Sequence, residues 1–175
     1  MPRVRFPLRG ALALLLATAA LPAAAAHLEV QGGRSYMDRY GTNAAFIEAT
    51  LAPHTIGSGR LDWSPDLSVG WLDGRDVARY RYSRYDTSHS VALVAAGARF
   101  HYGEAGAWYR PLFFSFQLAA NNQTTQALSS HYQFVSTLGW QGEHLSFQLR
   151  HISNGGLNGP NRGETMALVG VGFDL

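Results

Sequence analysis

Apolar and polar residues alternate along the chain after residue 26, in segments of about ten residues. In one segment Leu145, Phe147 and Leu149 alternate with polar residues, and in another the alternation continues to the last residue, Leu175. A period of two places neighbouring side chains on opposite faces of an extended chain, whereas a helix requires a period near 3.6. The pattern therefore predicts an all-β protein.

Eight such segments can be counted, separated by stretches rich in glycine or polar residues. The predicted strands are residues 28–37, 44–54, 59–71, 88–102, 107–120, 129–141, 144–154 and 164–175. Alternation alone does not decide between two architectures for these strands. In a soluble β-sandwich the apolar face is the core, whereas in an outer-membrane barrel the apolar face contacts lipid and the polar face lines the interior.

Three features favour the barrel over the sandwich. Segments of about ten residues are long enough for a tilted strand to cross a bilayer. Aromatic residues such as Trp71, Trp108 and Trp140 lie near segment ends, where the interfacial girdles of a barrel would place them. The final strand runs to the C-terminus and carries Phe173 near its end. We therefore predict an eight-stranded antiparallel outer-membrane β-barrel.

The connections between antiparallel strands alternate between the two ends of such a barrel. The longer ones are predicted to face the cell exterior: residues 38–43, 72–87, 121–128 and 155–163. The shorter ones are predicted to face the periplasm: residues 57–58, 103–106 and 141–143.

The first 26 residues differ in composition from the rest of the chain. Arg3, Arg5 and Arg9 precede the mainly apolar run from Ala11 to Ala20, and three alanines follow at residues 24–26. This is typical of a secretory signal peptide cleaved before His27. A membrane anchor would need about 20 apolar residues, which this run does not reach. The sequence therefore predicts a signal peptide over residues 1–26 and a transmembrane barrel over residues 27–175.

Charge and cysteine content limit the function classes. All 14 basic residues are arginine, and the three in the signal peptide leave 11 basic residues against 12 acidic ones. A nearly neutral mature protein gives no support to nucleic-acid binding. The chain has no cysteine, so disulfides and thiolate metal sites are not available. An exported, glycine-rich protein without cysteine fits a bacterial envelope protein.

Candidate chemistry is concentrated between residues 150 and 164. His151 and Ser153 continue the apolar face of the strand over residues 144–154, where polar side chains need an explanation. A hairpin could bring Glu164 back beside His151, which would combine a nucleophile, a general base and an orienting acid. Glu164 has the opposite parity to Val169 in its strand, so this placement requires an irregular start or a bulge. Donors for an oxyanion are offered by Asn154, Gly155, Gly156 and Asn161.

The pattern His-x-Ser-Asn, a glycine-containing loop and Asn-x-Gly-Glu resembles the catalytic motif of the PagL family of lipid A 3-O-deacylases. The resemblance implies that Ser153 is the nucleophile, His151 the base and Glu164 the acid, on the outer surface of the barrel. It implies a serine esterase that removes the 3-O-linked acyl chain from lipid A in the lipopolysaccharide of the Gram-negative outer membrane. No cofactor is expected, and no acidic cluster in the sequence suggests a metal site. A calcium-dependent phospholipase therefore has less support than a metal-free esterase.

Other interpretations remain open at this point. A small structural or adhesive barrel without catalytic activity would also have polar residues such as His151 and Ser153 at a strand end. The segment Asp73–His89 places four arginines among tyrosines, which fits either a solvated loop or a phosphate-binding surface. The oligomeric state is open between a monomer and a homodimer.

Overall fold

Eight long antiparallel strands form a closed barrel in the computed structural model, which describes residues 27–57 and 59–175. The strands are β1 His27–Met37, β2 Tyr40–Thr50, β3 His54–Ile56, β4 Leu61–Leu72, β5 Val91–Tyr102, β6 Leu112–Asn121, β7 Tyr132–Gln141, β8 Leu145–Ser153 and β9 Glu164–Asp174. Pairing of β1 with β9 closes the sheet, and β3 is a short arm that pairs only with β4. The predicted all-β, eight-stranded barrel is confirmed. The predicted signal peptide lies outside the described residues.

Most apolar side chains of the long strands face outward and most polar ones face inward, although a cluster of apolar side chains that includes Met37, Phe46 and Leu72 is buried in the interior. On β8, Phe147 and Leu149 are 54% and 62% exposed, whereas Gln148 and Arg150 are buried in the interior. This is the reverse of a soluble sandwich, whose apolar face would be buried. An apolar outer surface of this kind needs lipid around it, as in an outer-membrane barrel.

A network of buried charges crosses the interior. Glu48 on β2 lies 2.9 Å from the guanidinium groups of both Arg99 on β5 and Arg150 on β8, and it accepts a hydrogen bond from Arg150. Asp66 on β4 lies 3.6 Å from Arg99. Buried charges are tolerated when they are paired and hydrogen-bonded, so this network joins non-adjacent strands without leaving the two carboxylates unpaired.

The loops separate into two groups, as predicted, but the first hairpin is shorter than expected. Strand β2 begins at Tyr40, so β1 and β2 are joined by Asp38 and Arg39 alone rather than by a loop over residues 38–43. Residues 40–43 lack clear alternation, but they pair with the end of β1, and Asp38 takes the left-handed conformation that the tight turn requires. This turn lies at the same end as the loops over residues 73–90, 122–131 and 154–163.

Helical structure is limited to a three-residue 3-10 segment, Ala78–Tyr80, in the described part of the chain. No helix there is both long enough and apolar enough to cross a membrane.

Candidate active site

His151 and Ser153 lie on the outer surface of the barrel, at the end of β8 that leads into the loop over residues 154–163. His151 is exposed and Ser153 is half-buried, while Ile152 between them is fully buried in the interior. The strand alternation therefore places both polar side chains on the lipid-facing surface. Next to them on that surface is Leu149, which is 62% exposed.

The ring of His151 is held by a residue of the neighbouring strand. Nδ1 of His151 lies 2.9 Å from Oγ1 of Thr165 on β9, its direct cross-strand partner. On the other side, Ser136 of β7 is paired with His151. With Nδ1 engaged by Thr165, Nε2 is the ring nitrogen without a hydrogen-bond partner in the described part of the chain. Neither Thr165 nor Ser136 was among the residues predicted from the sequence.

Glu164 does not lie beside His151, and its predicted placement is corrected. The pairing of β8 with β9 is regular, with Glu164 opposite Ile152, so no bulge moves its side chain to the outer surface. Glu164 is only 4% exposed and faces the interior. Both carboxylate oxygens lie 2.7 Å from Nη2 of Arg75, and Ser35 donates a hydrogen bond of 2.5 Å. The parity of β9 therefore decides its position, because adjacent residues in a regular strand point to opposite faces.

Gly163 packs against the other part of the His151 ring. Its φ of 74° is in the left-handed region, and a Cβ there would lie 2.7 Å from Cε1 and 3.1 Å from Nε2 of His151. The N–H of Gly163 donates to the carbonyl of Ala127 at 3.0 Å, which fixes this backbone in place. Only glycine combines this conformation with such close contact to the ring.

Replacing Gly163 by alanine is therefore expected to displace the His151 ring, and to lower kcat by about 100-fold in a reaction that uses this ring, since small misplacements of catalytic groups have effects of this size. Gly156→Ala is a matched control. Its φ of 77° imposes the same backbone strain, but a Cβ there meets no atom within 4 Å. The esterase activities of both folded variants in detergent test the prediction. Equal rates would mean that strain in the loop, and not contact with His151, accounts for any loss.

The loop over residues 154–163 is fastened to the neighbouring loop over residues 122–131. The fully buried side chain of Asn154 donates from Nδ2 to the hydroxyls of Ser129 and Ser130, both at 3.1 Å, and to the carbonyl of Asn158 at 2.8 Å. Its Oδ1 accepts the N–H of Gly156 at 3.0 Å. The Asn154 side chain and the Gly156 N–H are thus engaged in loop structure, although both were predicted as oxyanion donors.

Two of the four predicted oxyanion donors retain a free N–H group among the described residues. Oδ1 of Asn161 accepts the N–H of Asn154 at 2.9 Å, so its Nδ2 is directed away from that contact and makes no hydrogen bond to the described chain. The backbone N–H of Gly155 likewise has no acceptor there. Asn161 and Gly155 are therefore the members of the predicted set that can donate to a substrate.

The arginines of the loop over residues 73–90 have different environments. Arg75 points inward to Glu164, and Arg81 donates to Asp76 at 2.6 Å, which holds the pKa of that carboxyl below its ordinary value. Arg79 and Arg162 share one oxygen of Asp38, at 3.3 Å and 2.7 Å. Two guanidinium groups around one carboxylate leave a positive charge at this rim, and Arg162 belongs to the same loop as Asn161.

No group of three or more His, Asp or Glu side chains is arranged to hold a metal ion within residues 27–57 and 59–175. The chemistry of the site is that of a serine and a histidine on one face, with amide donors in the adjoining loop. Such a set can carry out acyl transfer through a covalent intermediate.

Comparison with known families gives one match. The family model described as lipid A 3-O-deacylase (PagL) matches residues 58–174, a range that includes β4 to β9, His151, Ser153 and the loop between them and β9. No curated protein matches the chain. Since the family match covers more than half of the sequence and agrees with an outer-membrane type of barrel, this chain belongs to the PagL family of lipid A 3-O-deacylases.

Proposed function

We propose that the protein, as a mature barrel over residues 27–175, is a serine esterase of the outer membrane that hydrolyses the 3-O-linked acyl ester of lipid A. The observation that carries this proposal is the pair of His151 and Ser153 on the lipid-facing surface, with Nδ1 of His151 held by a cross-strand partner at 2.9 Å. A purely structural or adhesive barrel has no use for such an arrangement among exposed apolar side chains.

In the proposed reaction, Oγ of Ser153 attacks the ester carbonyl while Nε2 of His151 accepts its proton. Same-face residues two apart on a strand have Cα atoms roughly 6.6 Å apart, a distance that the two side chains can span. The tetrahedral intermediate collapses, and His151 returns the proton to the departing sugar hydroxyl. Water, activated by the same histidine, then hydrolyses the acyl-serine and releases a 3-hydroxy fatty acid.

The oxyanion that forms in each step needs hydrogen-bond donors. Nδ2 of Asn161 and the N–H of Gly155 are proposed for this role, because neither has an acceptor among residues 27–57 and 59–175 and both belong to the loop that follows Ser153. The loop is preorganised by its attachment to Ser129 and Ser130, so the donors need little rearrangement during the reaction.

Asn161→Ala is expected to lower kcat by roughly 10²–10³-fold with little change in KM, as for loss of one oxyanion donor. This variant also loses the acceptor for the Asn154 N–H. Asn161→Asp separates the two effects, because it retains an oxygen for Asn154 but replaces the free amide group. If the aspartate variant has wild-type kcat, Asn161 does not donate to the oxyanion.

Substrate reaches the site sideways from the membrane in this proposal, because Ser153 faces the acyl-chain region and not the barrel interior. The positive rim around Arg79 and Arg162 lies at the same end of the barrel, where the phosphorylated sugar of lipid A would be located. The acyl chains of the substrate thus contact the apolar outer surface, and its phosphate groups contact the positively charged rim.

Mass spectrometry of lipid A from Gram-negative cells that express the protein tests the proposed function. We expect a population of lipid A lighter by one 3-hydroxyacyl unit, absent from cells that express Ser153→Ala at the same level in the outer membrane. An unchanged lipid A profile in cells with folded wild-type protein would contradict the proposal.

A further inference from the structure

The His151 ring lies between two groups of the β9 hairpin that no sequence motif identified. Oγ1 of Thr165 is 2.9 Å from Nδ1, and the backbone of Gly163 packs against Cε1 and Nε2. Thr165 faces outward beside His151, because the two residues are direct partners in the regular pairing of β8 and β9. The β-branched side chain of threonine has few rotamers, which favours a fixed hydroxyl position.

The carboxylate nearest in sequence is occupied elsewhere. Glu164 is buried on the interior side and bound by Arg75 and Ser35, so it cannot contact His151 without a change in strand register. Within residues 27–57 and 59–175, the side-chain partner of His151 is Thr165. From this geometry we propose that Thr165 is the positioning residue for His151, so that a hydroxyl does the orienting work usually assigned to an acid.

This inference rests on the proposed function and adds a physical reason for a neutral partner. Thr165 Oγ1 accepts the Nδ1–H of His151, which selects the tautomer whose Nε2 has a lone pair for the Ser153 proton. A threonine hydroxyl makes this hydrogen bond without placing a charge on the lipid-facing surface, but it stabilises the imidazolium less than an ionised acid would.

Removal of the hydroxyl provides the test. Thr165→Val keeps the shape of the side chain and is expected to lower kcat about 10- to 100-fold with KM nearly unchanged, as for loss of a hydrogen bond that acts in the transition state. Thr165→Ser keeps the hydroxyl and should retain most of the activity. Ser136→Ala removes the hydroxyl on the opposite side of His151 and is the matched control, with wild-type kcat expected.

A spectroscopic measurement makes the test independent of turnover. In protein labelled with ¹⁵N-histidine in detergent, the His151 signals, assigned by their loss in His151→Gln, should show the Nδ1–H tautomer in the wild type. Thr165→Val should shift this population towards the other tautomer. Thr165→Ala, which adds no apolar branch, serves as a second variant if the valine protein does not fold.

The outcomes separate the two proposals. Wild-type kcat and an unchanged His151 tautomer in folded Thr165→Val would overturn the role of Thr165. This conclusion does not depend on the activity of Ser153→Ala. Full activity of Ser153→Ala would overturn the proposed function, while the tautomer signal would still decide whether Thr165 positions His151.

Discussion

Ser153→Ala is expected to lower kcat by about 10⁴-fold or more, since removal of the proposed nucleophile abolishes the covalent route and leaves only binding and the oxyanion donors. The barrel should remain folded, because Ser153 is half-buried on the outer surface and is not part of the interior network. His151→Ala should have an effect of similar size, because a serine hydroxyl is a weak nucleophile without its base. The measurement is the deacylation rate of purified lipid A in detergent, with heat-modifiable gel mobility as the folding check.

Ser136→Ala is the matched control for this prediction as well. Ser136 is also adjacent to His151, across the β7–β8 pair, and its hydroxyl lies on the same outer surface. A serine-reactive phosphonate should label the wild type and Ser136→Ala, but not Ser153→Ala. If labelling is lost in Ser136→Ala and retained in Ser153→Ala, the nucleophile is Ser136 and our assignment of Ser153 is wrong.

Glu164→Ala is expected to affect stability more than catalysis. Its carboxylate and the guanidinium of Arg75 form a pair in which the two side chains are 6% and 8% exposed, and removal of one member leaves a buried charge without a partner. The free energy of unfolding should fall by about 3–5 kcal/mol. The folded fraction should retain kcat within about 10-fold, because no contact joins Glu164 to His151.

The double variant Arg75→Met/Glu164→Gln tests the cause of that loss. Because it removes both charges, it leaves no buried charge without a partner. Its free energy of unfolding should therefore be higher than that of Glu164→Ala. Unfolding in urea, followed by tryptophan fluorescence, measures both variants. A Glu164→Ala protein with wild-type stability and a kcat reduced by about 10⁴-fold would instead support an orienting acid at this position.

Most of the fold follows from the alternation of side chains. The period of two gives the strands, and the exposed apolar parity gives the lipid-facing surface, because each side chain of a strand has only two possible faces. The same rule places His151 and Ser153 outward. The two-residue turn at Asp38 and Arg39 was missed, since the glycine and polar residues after it pair through their backbone and carry little periodic signal.

The site was less predictable where it depends on a single position. Glu164 and Thr165 are neighbours in sequence but lie on opposite faces of β9, and a motif that ends in a carboxylate points to Glu164, whose side chain faces the interior. The parity of Val169 on the same strand contained the signal for Thr165, since residues 165, 167 and 169 share a face. Ser129 and Ser130 were not predictable, because their contact with Asn154 depends on the register of β7 and β8 and on the paths of two loops.

The outward position of Ser153 has a consequence for how the enzyme meets its substrate. As the proposed nucleophile on the outer wall, Ser153 samples only molecules in the surrounding lipid layer, so encounter takes place by diffusion in two dimensions. The quantity that governs the rate is then the mole fraction of lipid A in that layer, and inert lipid or detergent acts as a diluent even when the total amount of substrate is constant. The KM of this protein for lipid A is consequently expressed as a mole fraction of lipid A in that layer. Values of KM obtained in micelles and in bilayers become comparable only when both are given as mole fractions.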